Sequence, residues 1–205
     1  MKNKHIDEML IATSNKGKLH EVESYLSPLN LRLRSLSEFP SLIEPEETGS
    51  TFAENAILKV RYYAERTRLW TLADDSGLEV DALGGAPGVF SARYAGIGAS
   101  DSERIDRLLF ELTNVSDEKR SARFICALAF CNPEAELIKL INGNCEGRIS
   151  LEPKGTNGFG YDPVFLPDGY EQTFGELSHE IKQKISHRGN ALRLFSSFLA
   201  NFLSS

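Results

Sequence analysis

Asp74 and Asp75 stand side by side where an apolar run, Trp70-Thr71-Leu72-Ala73, comes to its end, and Ser76-Gly77 follow them. Burying even one unpaired ionised carboxylate costs several kcal/mol, so an adjacent pair calls for water, a cation or a metal. Hard oxygen ligands point to Mg2+, which takes one or two carboxylates and fills its shell with water and phosphate oxygens. The same four residues can also make a solvated turn in which Asp and Ser bond their own backbone. Gly84-Gly85-Ala86-Pro87-Gly88 is a dense turn cluster a few residues on, and Arg93, within Ser91-Ala92-Arg93-Tyr94, returns a cation to the stretch. Asp75, Ser76 and Arg93 thus read as part of the floor of a site for something phosphorylated.

Other stretches carry residue types suited to such a ligand. Thr13-Ser14-Asn15-Lys16-Gly17-Lys18 lies between an apolar run and a helical pattern, and the N–H groups and dipole at a helix entrance cradle phosphate. It is not a Walker A loop, because the first Gly is missing and Leu19 stands where Ser or Thr belongs. Asn55 and Lys59 are four residues apart in a helical pattern and share a face, turned either to solvent or to a ligand. Around Phe159 and Tyr161 lie Gly155, Gly158 and Gly160, with Asp162 closing the turn. A ring on such a loop can stack on a purine, worth about 1–3 kcal/mol by analogy with base–aromatic stacking; a purely structural turn is the other reading. Ser186-His187-Arg188-Gly189 reads as a junction between helices, where a His-Arg pair commonly serves as a cap or surface pair.

The elements that position these residues follow from periodicity. Met9–Ala12, Leu31–Leu36, Ala122–Cys131, Leu137–Ile141 and Val164–Leu166 are expected strands, with Leu137–Ile141 pairing back as a hairpin. Helices are expected after Lys18, from Phe52 to about Thr67 with Thr51 and Glu54 as a capping box, and over Asp101–Leu112 with Ser100 and Glu103 as another. Two more are expected over Glu176–Ile185 and Asn190–Leu203. Asp101–Leu112 reads as a surface helix without visible chemistry. Strands alternating with helices, plus a hairpin in the second half, indicate an α/β fold on a mixed sheet with flanking helices.

A chain of 205 residues buries a substantial core and is expected to be one catalytic domain. A net charge of −6 argues against nucleic acid as a partner. An anionic ligand must then be met by local lysines and a metal. Cys126, Cys131 and Cys145 are odd in number and lack CxxC spacing, which suits reduced core residues. No apolar run has transmembrane length and the N-terminal MKNKHIDEML lacks a signal-peptide core, so a cytoplasmic protein with no membrane partner is expected.

The run ADDSGLEVDALGGAPGVFSARYAG closely resembles the signature of the inosine triphosphate pyrophosphatase family. Four further blocks agree in order: Thr13, Asn15 and Lys18 as TxNxxK, ETGSTFAENAILK, GFGYDPVF, and Lys182 with His187-Arg188. No position that the family's chemistry requires departs from its pattern. The resemblance implies an elongated, two-lobed molecule with an active cleft between the lobes, working as a homodimer. It implies hydrolysis of ITP, dITP and XTP to the monophosphate and pyrophosphate, with Mg2+ on Glu47 and Asp75. Thr13 to Lys18, Asn55 and Lys59 would face the phosphates, and Asp75 and Lys59 would act in catalysis. Phe159, Gly160, Tyr161 and Asp162 would lie against the base, with His187 and Arg188 holding it, while Lys182 would join Lys18 and Lys59 in balancing phosphate charge. Other faulty nucleotides such as dUTP, or a non-catalytic nucleotide-binding module, are the competing expectations.

Overall fold

The computed structural model describes residues 6–204; the first residues of the N-terminal stretch read above for a signal peptide lie outside it. Six strands form one mixed sheet in the order β2-β1-β3-β4-β5-β6. They are β1 (Glu8–Ala12), β2 (Arg32–Ser35), β3 (Trp70–Val80), β4 (Ser121–Cys131), β5 (Leu137–Ile149) and β6 (Phe165–Pro167). β1 runs parallel to β2 and to β3, and β5 runs antiparallel to β6. The helices are α1 (Lys16–Leu26), α2 (Phe52–Thr67), α3 (Asp101–Glu111), α4 (His179–Ile185) and α5 (His187–Leu203). None of them is long and apolar enough to cross a membrane.

The chain divides into two compact units. The first comprises the chain up to Asp75, Cys126–Gly143 and the residues from Asn190 on. Its core joins Met9 and Ile11 of β1, Leu72 of β3, Cys126, Leu128 and Phe130 of β4, Val22 and Leu26 of α1, and Ala191, Leu192, Phe195 and Leu199 of α5. Side chains alternate between the faces of a strand, so Leu10 and Ala12, also buried, turn to the other face, where α2 packs on β1. The buried residues of α2 are Phe52, Asn55, Ala56, Lys59, Val60, Tyr63 and Ala64, a stripe at helical spacing that includes two polar residues.

The second unit comprises Ser76–Ile125 and Asn144–Gly189. Its core gathers Leu78, Val80, Ile105, Leu108, Leu112, Phe124, Phe165 and Phe174 with their neighbours. Arg120 is buried there and donates to the carbonyls of Leu112, Val115 and Ser150, the first of them at the C-cap of α3. A cation at a helix C-terminus meets the negative end of the dipole. All three cysteines are buried and none is in a disulfide; burial pushes the thiols of Cys131 and Cys145 up to about 11 and about 12, out of the nucleophilic range.

Four boundaries differ from the sequence expectation. β3 does not end at Ala73 but runs on to Val80, so Asp74 and Asp75 lie mid-strand and not in a solvated turn. β5 continues past Ile141 to Ile149 with every second residue buried; the two glycines at 143 and 147 hid that alternation. α4 begins at His179 with Ser178 as its cap, because Glu176 is used in bonds to Thr173. Only Ser186 separates α4 from α5, its hydroxyl accepting from the Gly189 N–H, so His187 and Arg188 form the first turn of α5. The box at α2 is also half-made: Thr51 accepts from the Glu54 N–H, while Glu54 accepts from Ser50.

Candidate active site

Strand alternation assigns the two aspartates different work. Asp74 is two residues from Leu72 and shares its face, the face covered by α1 and α5. There its Oδ1 accepts from Lys18 Nζ at 2.5 Å and its Oδ2 from Cys126 Sγ at 3.1 Å. Asp75 points to the opposite face, the face of α2, where its Oδ1 accepts from Lys59 Nζ at 2.8 Å. Lys59 also donates to Glu47 Oε1 at 2.9 Å. Asp75 Oδ2 is buried and has no hydrogen-bond partner among the described residues.

This acid–lysine cluster is electrostatically unfinished. Burial opposes the charge on Lys59, but Asp75 and Glu47 outweigh it and hold its pKa above the ordinary value. Burial raises the Asp75 carboxyl against the pull of Lys59 and, more weakly, Lys18. Asp75 and Glu47 set two carboxylates against one ammonium, and an oxygen with nothing to accept from sits beside it. No group of three or more His, Cys, Asp or Glu that could hold a metal occurs among the described residues, so the side chains do not form a closed cage. Two carboxylates with an orphaned oxygen fit Mg2+, which dehydrates reluctantly and leaves most of its shell to water and phosphate.

Asn55 is wholly buried, not solvent-facing. Its Oδ1 accepts from the Gly49 N–H at 2.7 Å, which fixes the segment carrying Glu47. A side chain at Gly49 would stand 2.6 Å from that oxygen. Its Nδ2 is buried with no hydrogen-bond partner among the described residues, a donor set on the same helical stripe as Lys59. At the entrance of α1, Asn15 acts as the N-cap: its Oδ1 accepts from the N–H groups of Gly17 and Lys18, two of those expected to cradle phosphate. Thr13 Oγ1 accepts from the Asn15 N–H, and Ser14 and Lys16 are exposed.

The second unit carries a ring flanked by cations. Lys182 Nζ lies 4.7 Å and the Arg188 guanidinium 5.7 Å from the centroid of Phe159. Both cations are buried and both are held, Lys182 by Asp162 Oδ2 at 2.5 Å and Arg188 through Ser76 Oγ at 2.7 Å. Asp162 Oδ2 also accepts from the Phe159 N–H at 2.7 Å. Gly158 takes a positive φ of 76°, and a Cβ there would fall 1.9 Å from that carboxylate oxygen, so only glycine fits. His187 stacks on Phe124 at 4.7 Å and is buried. Arg93 lies over the ring of Phe90, 5.1 Å from its centroid.

One expectation needs correction. Tyr161 is not a presented ring: it is buried in the core with its hydroxyl on the Ser91 carbonyl, and burial raises its pKa further. Lys182 pairs with Asp162 and lies by the Phe159 ring. Sequence reasoning missed Cys126, read only as core, and Asp101. Asp101 Oδ2 accepts from the Gly160 N–H at 2.6 Å, a contact 59 residues away that no local pattern encodes.

The first unit thus carries a buried acid–lysine cluster and the second a cation-flanked ring, on one mixed sheet with flanking helices. Residues 9–198 match the model of the Ham1 family, and the chain belongs to that family. It is 47% identical over 192 residues to the dITP/XTP pyrophosphatase of Halalkalibacterium halodurans, across 94% of this chain and 98% of the relative. It is 50% identical over 192 residues to the dITP/XTP pyrophosphatase of Bacillus licheniformis, across 94% and 97%. A solved HAM1 protein from Coxiella burnetii matches with a TM-score of 0.87 and 45% identity over 95% of this chain and 98% of that one. The five motif blocks therefore identified the family correctly.

Proposed function

We infer that this chain is a nucleoside triphosphate pyrophosphatase that hydrolyses non-standard purine nucleotides such as ITP, dITP and XTP to the monophosphate and pyrophosphate. The names of its relatives support that reading, and the observation that carries the chemistry is the orphaned Oδ2 of Asp75 beside Lys59. Asp75 takes a proton from, or positions, a water that attacks the α-phosphorus. The bond from that phosphorus to the oxygen bridging the β-phosphorus breaks, and pyrophosphate departs. Burial raises the Asp75 pKa, which favours proton uptake. Lys18 and Lys59 offset the negative charge that develops on the phosphates. Glu47 and Asp75 would hold Mg2+, which when bound neutralises phosphate charge.

Phe159 stacks on the base, and Lys182 and Arg188 supply donors beside it. Hypoxanthine and xanthine present O6 and N7 as acceptors, which an arginine fork can meet. Adenine has an amine in place of O6, so donor faces donor, and such sites discriminate by roughly 10⁴-fold or more. The chain works as a cytoplasmic homodimer that clears deaminated purines from the nucleotide pool. Turnover of ITP, XTP, dITP, dUTP and ATP at equal concentration tests the substrate class, with the three non-standard purines expected to lead. Equal turnover of dUTP would move the assignment to a pyrophosphatase of other faulty nucleotides, and binding without turnover would leave a nucleotide-binding module. Sedimentation should give twice the chain mass; a monomer at micromolar concentration would remove the dimer.

A further inference from the structure

We propose that Asp101, in the first turn of α3, is a positioning residue for base recognition, acting through the Phe159 loop. This rests on the reading that Phe159 meets the base. Two consecutive N–H groups in that loop are taken by two carboxylates from different elements: Phe159 N–H by Asp162 Oδ2, and Gly160 N–H by Asp101 Oδ2. Asp162 lies in the loop itself and is held by Lys182 of α4. Asp101 belongs to a helix pinned by the buried Ile105 and Leu108 and by its own capping box, so it anchors the loop from a second element.

The anchor reaches a second segment. Asp101 Oδ1 pairs with Arg104, whose Nη1 donates to the Ala92 carbonyl, one residue before Arg93. Tyr161 joins the same two segments through its hydroxyl on the Ser91 carbonyl. The loop with Phe159 and the turn with Arg93, far apart in sequence, are therefore tied to each other and to one helical turn. An N–H bonded to a carboxylate is a charge-assisted bond, about twice as strong as a neutral one. Removing it frees Gly160, whose φ of 63° places it in a turn region that a glycine leaves easily, and the neighbouring ring loses its fixed plane. The triphosphate chemistry of Asp75 is untouched by this change, so the effect belongs in KM and in base selection.

The test compares Asp101→Ala, Asp101→Asn and Phe159→Ala with the parent protein, using steady-state kinetics on ITP and ATP and thermal melting. Asp101→Ala should raise KM for ITP about tenfold, the scale of one lost hydrogen bond to a charged group, and narrow the ITP:ATP ratio with kcat held within about twofold. Asp101→Asn keeps an acceptor for Gly160 and gives up only a part-exposed ion pair, so it should stay within about threefold of the parent. An unchanged KM in Asp101→Ala, with Phe159→Ala impaired, overturns the inference and leaves the function standing. Loss of kcat and melting temperature together, with the ITP:ATP ratio kept, makes Asp101 a scaffold residue and also overturns it. An unimpaired Phe159→Ala removes the base-stacking reading, and the inference with it.

Discussion

The cluster around Asp75 and the set around Phe159 solve opposite problems. In the first, charges face each other directly and the balance is left open: Lys59 serves Asp75 and Glu47, and one carboxylate oxygen has no donor. In the second, each cation is settled before a ligand arrives, Lys182 on Asp162 and Arg188 on Ser76, with an aromatic face held between backbone anchors. An open charge balance suits a metal and a reacting phosphate, since ligand binding completes it. A closed, preorganised set suits discrimination, because a wrong base leaves fixed donors unsatisfied.

If the open set is the chemical one, Asp75→Asn should cut kcat about 10³-fold with KM for ITP nearly unchanged, the range expected for a lost general base. Turnover near the parent level at saturating Mg2+ would end that assignment. Lys59→Met should strike stability as well as rate, since it takes the ammonium away from the buried Asp75 carboxylate. A loss of about 3–5 kcal/mol in urea unfolding is expected at so buried a position, and an unchanged midpoint would show that Lys59 is dispensable to the cluster. In the closed set, Arg188→Lys keeps the charge but loses the fork. Its ITP:ATP preference should fall about tenfold, with the maximal ITP rate largely kept; an intact ratio would place recognition elsewhere.

How far each set could be read beforehand differs for a physical reason. The shared face of Asn55 and Lys59 was legible because the i,i+4 period of α2 is local, whereas the two aspartates read as the end of a strand that continues to Val80. Their burial was less legible, since β3 runs on through Ser76-Gly77, residues that also begin turns. The separation of Asp74 from Asp75 needed the identity of the covering elements, α1 on one face and α2 on the other. Tyr161 and Asp101 were misread because their partners, Ser91 and Gly160, lie 70 and 59 residues away, and glycine-rich loops carry no periodicity to announce which ring faces in.

Smaller effects sharpen the contrast between Asp74 and Asp75. Cys126→Ala removes the donor on Asp74 Oδ2 and should cost about 1 kcal/mol, with a rise of a few-fold in KM through a less fixed Lys18. Cys126→Ser, which keeps a donor, should recover most of that KM, and a failure to do so would make the thiol a packing group alone. The smallest change is Glu103→Gln at the cap of α3. Bonds from the Ser100 N–H and hydroxyl hold the Glu103 carboxyl below its ordinary value. Its contribution is therefore full above the unfolded glutamate pKa of about 4.3 and fades as pH falls through the folded value. The variant should melt slightly lower near neutral pH and lose less on acidification than the parent; parallel acid limbs would show that the box is not titrating.

Hydrolysis of ITP in ¹⁸O-labelled water with Mg2+, followed by mass analysis of both products, reads the point of attack directly. Label in the monophosphate, with pyrophosphate unlabelled, is the expected result for water delivered to the α-phosphorus beside Asp75. Label in pyrophosphate, or the appearance of IDP with labelled orthophosphate, would place the attack at another phosphorus and contradict the role given to that carboxylate.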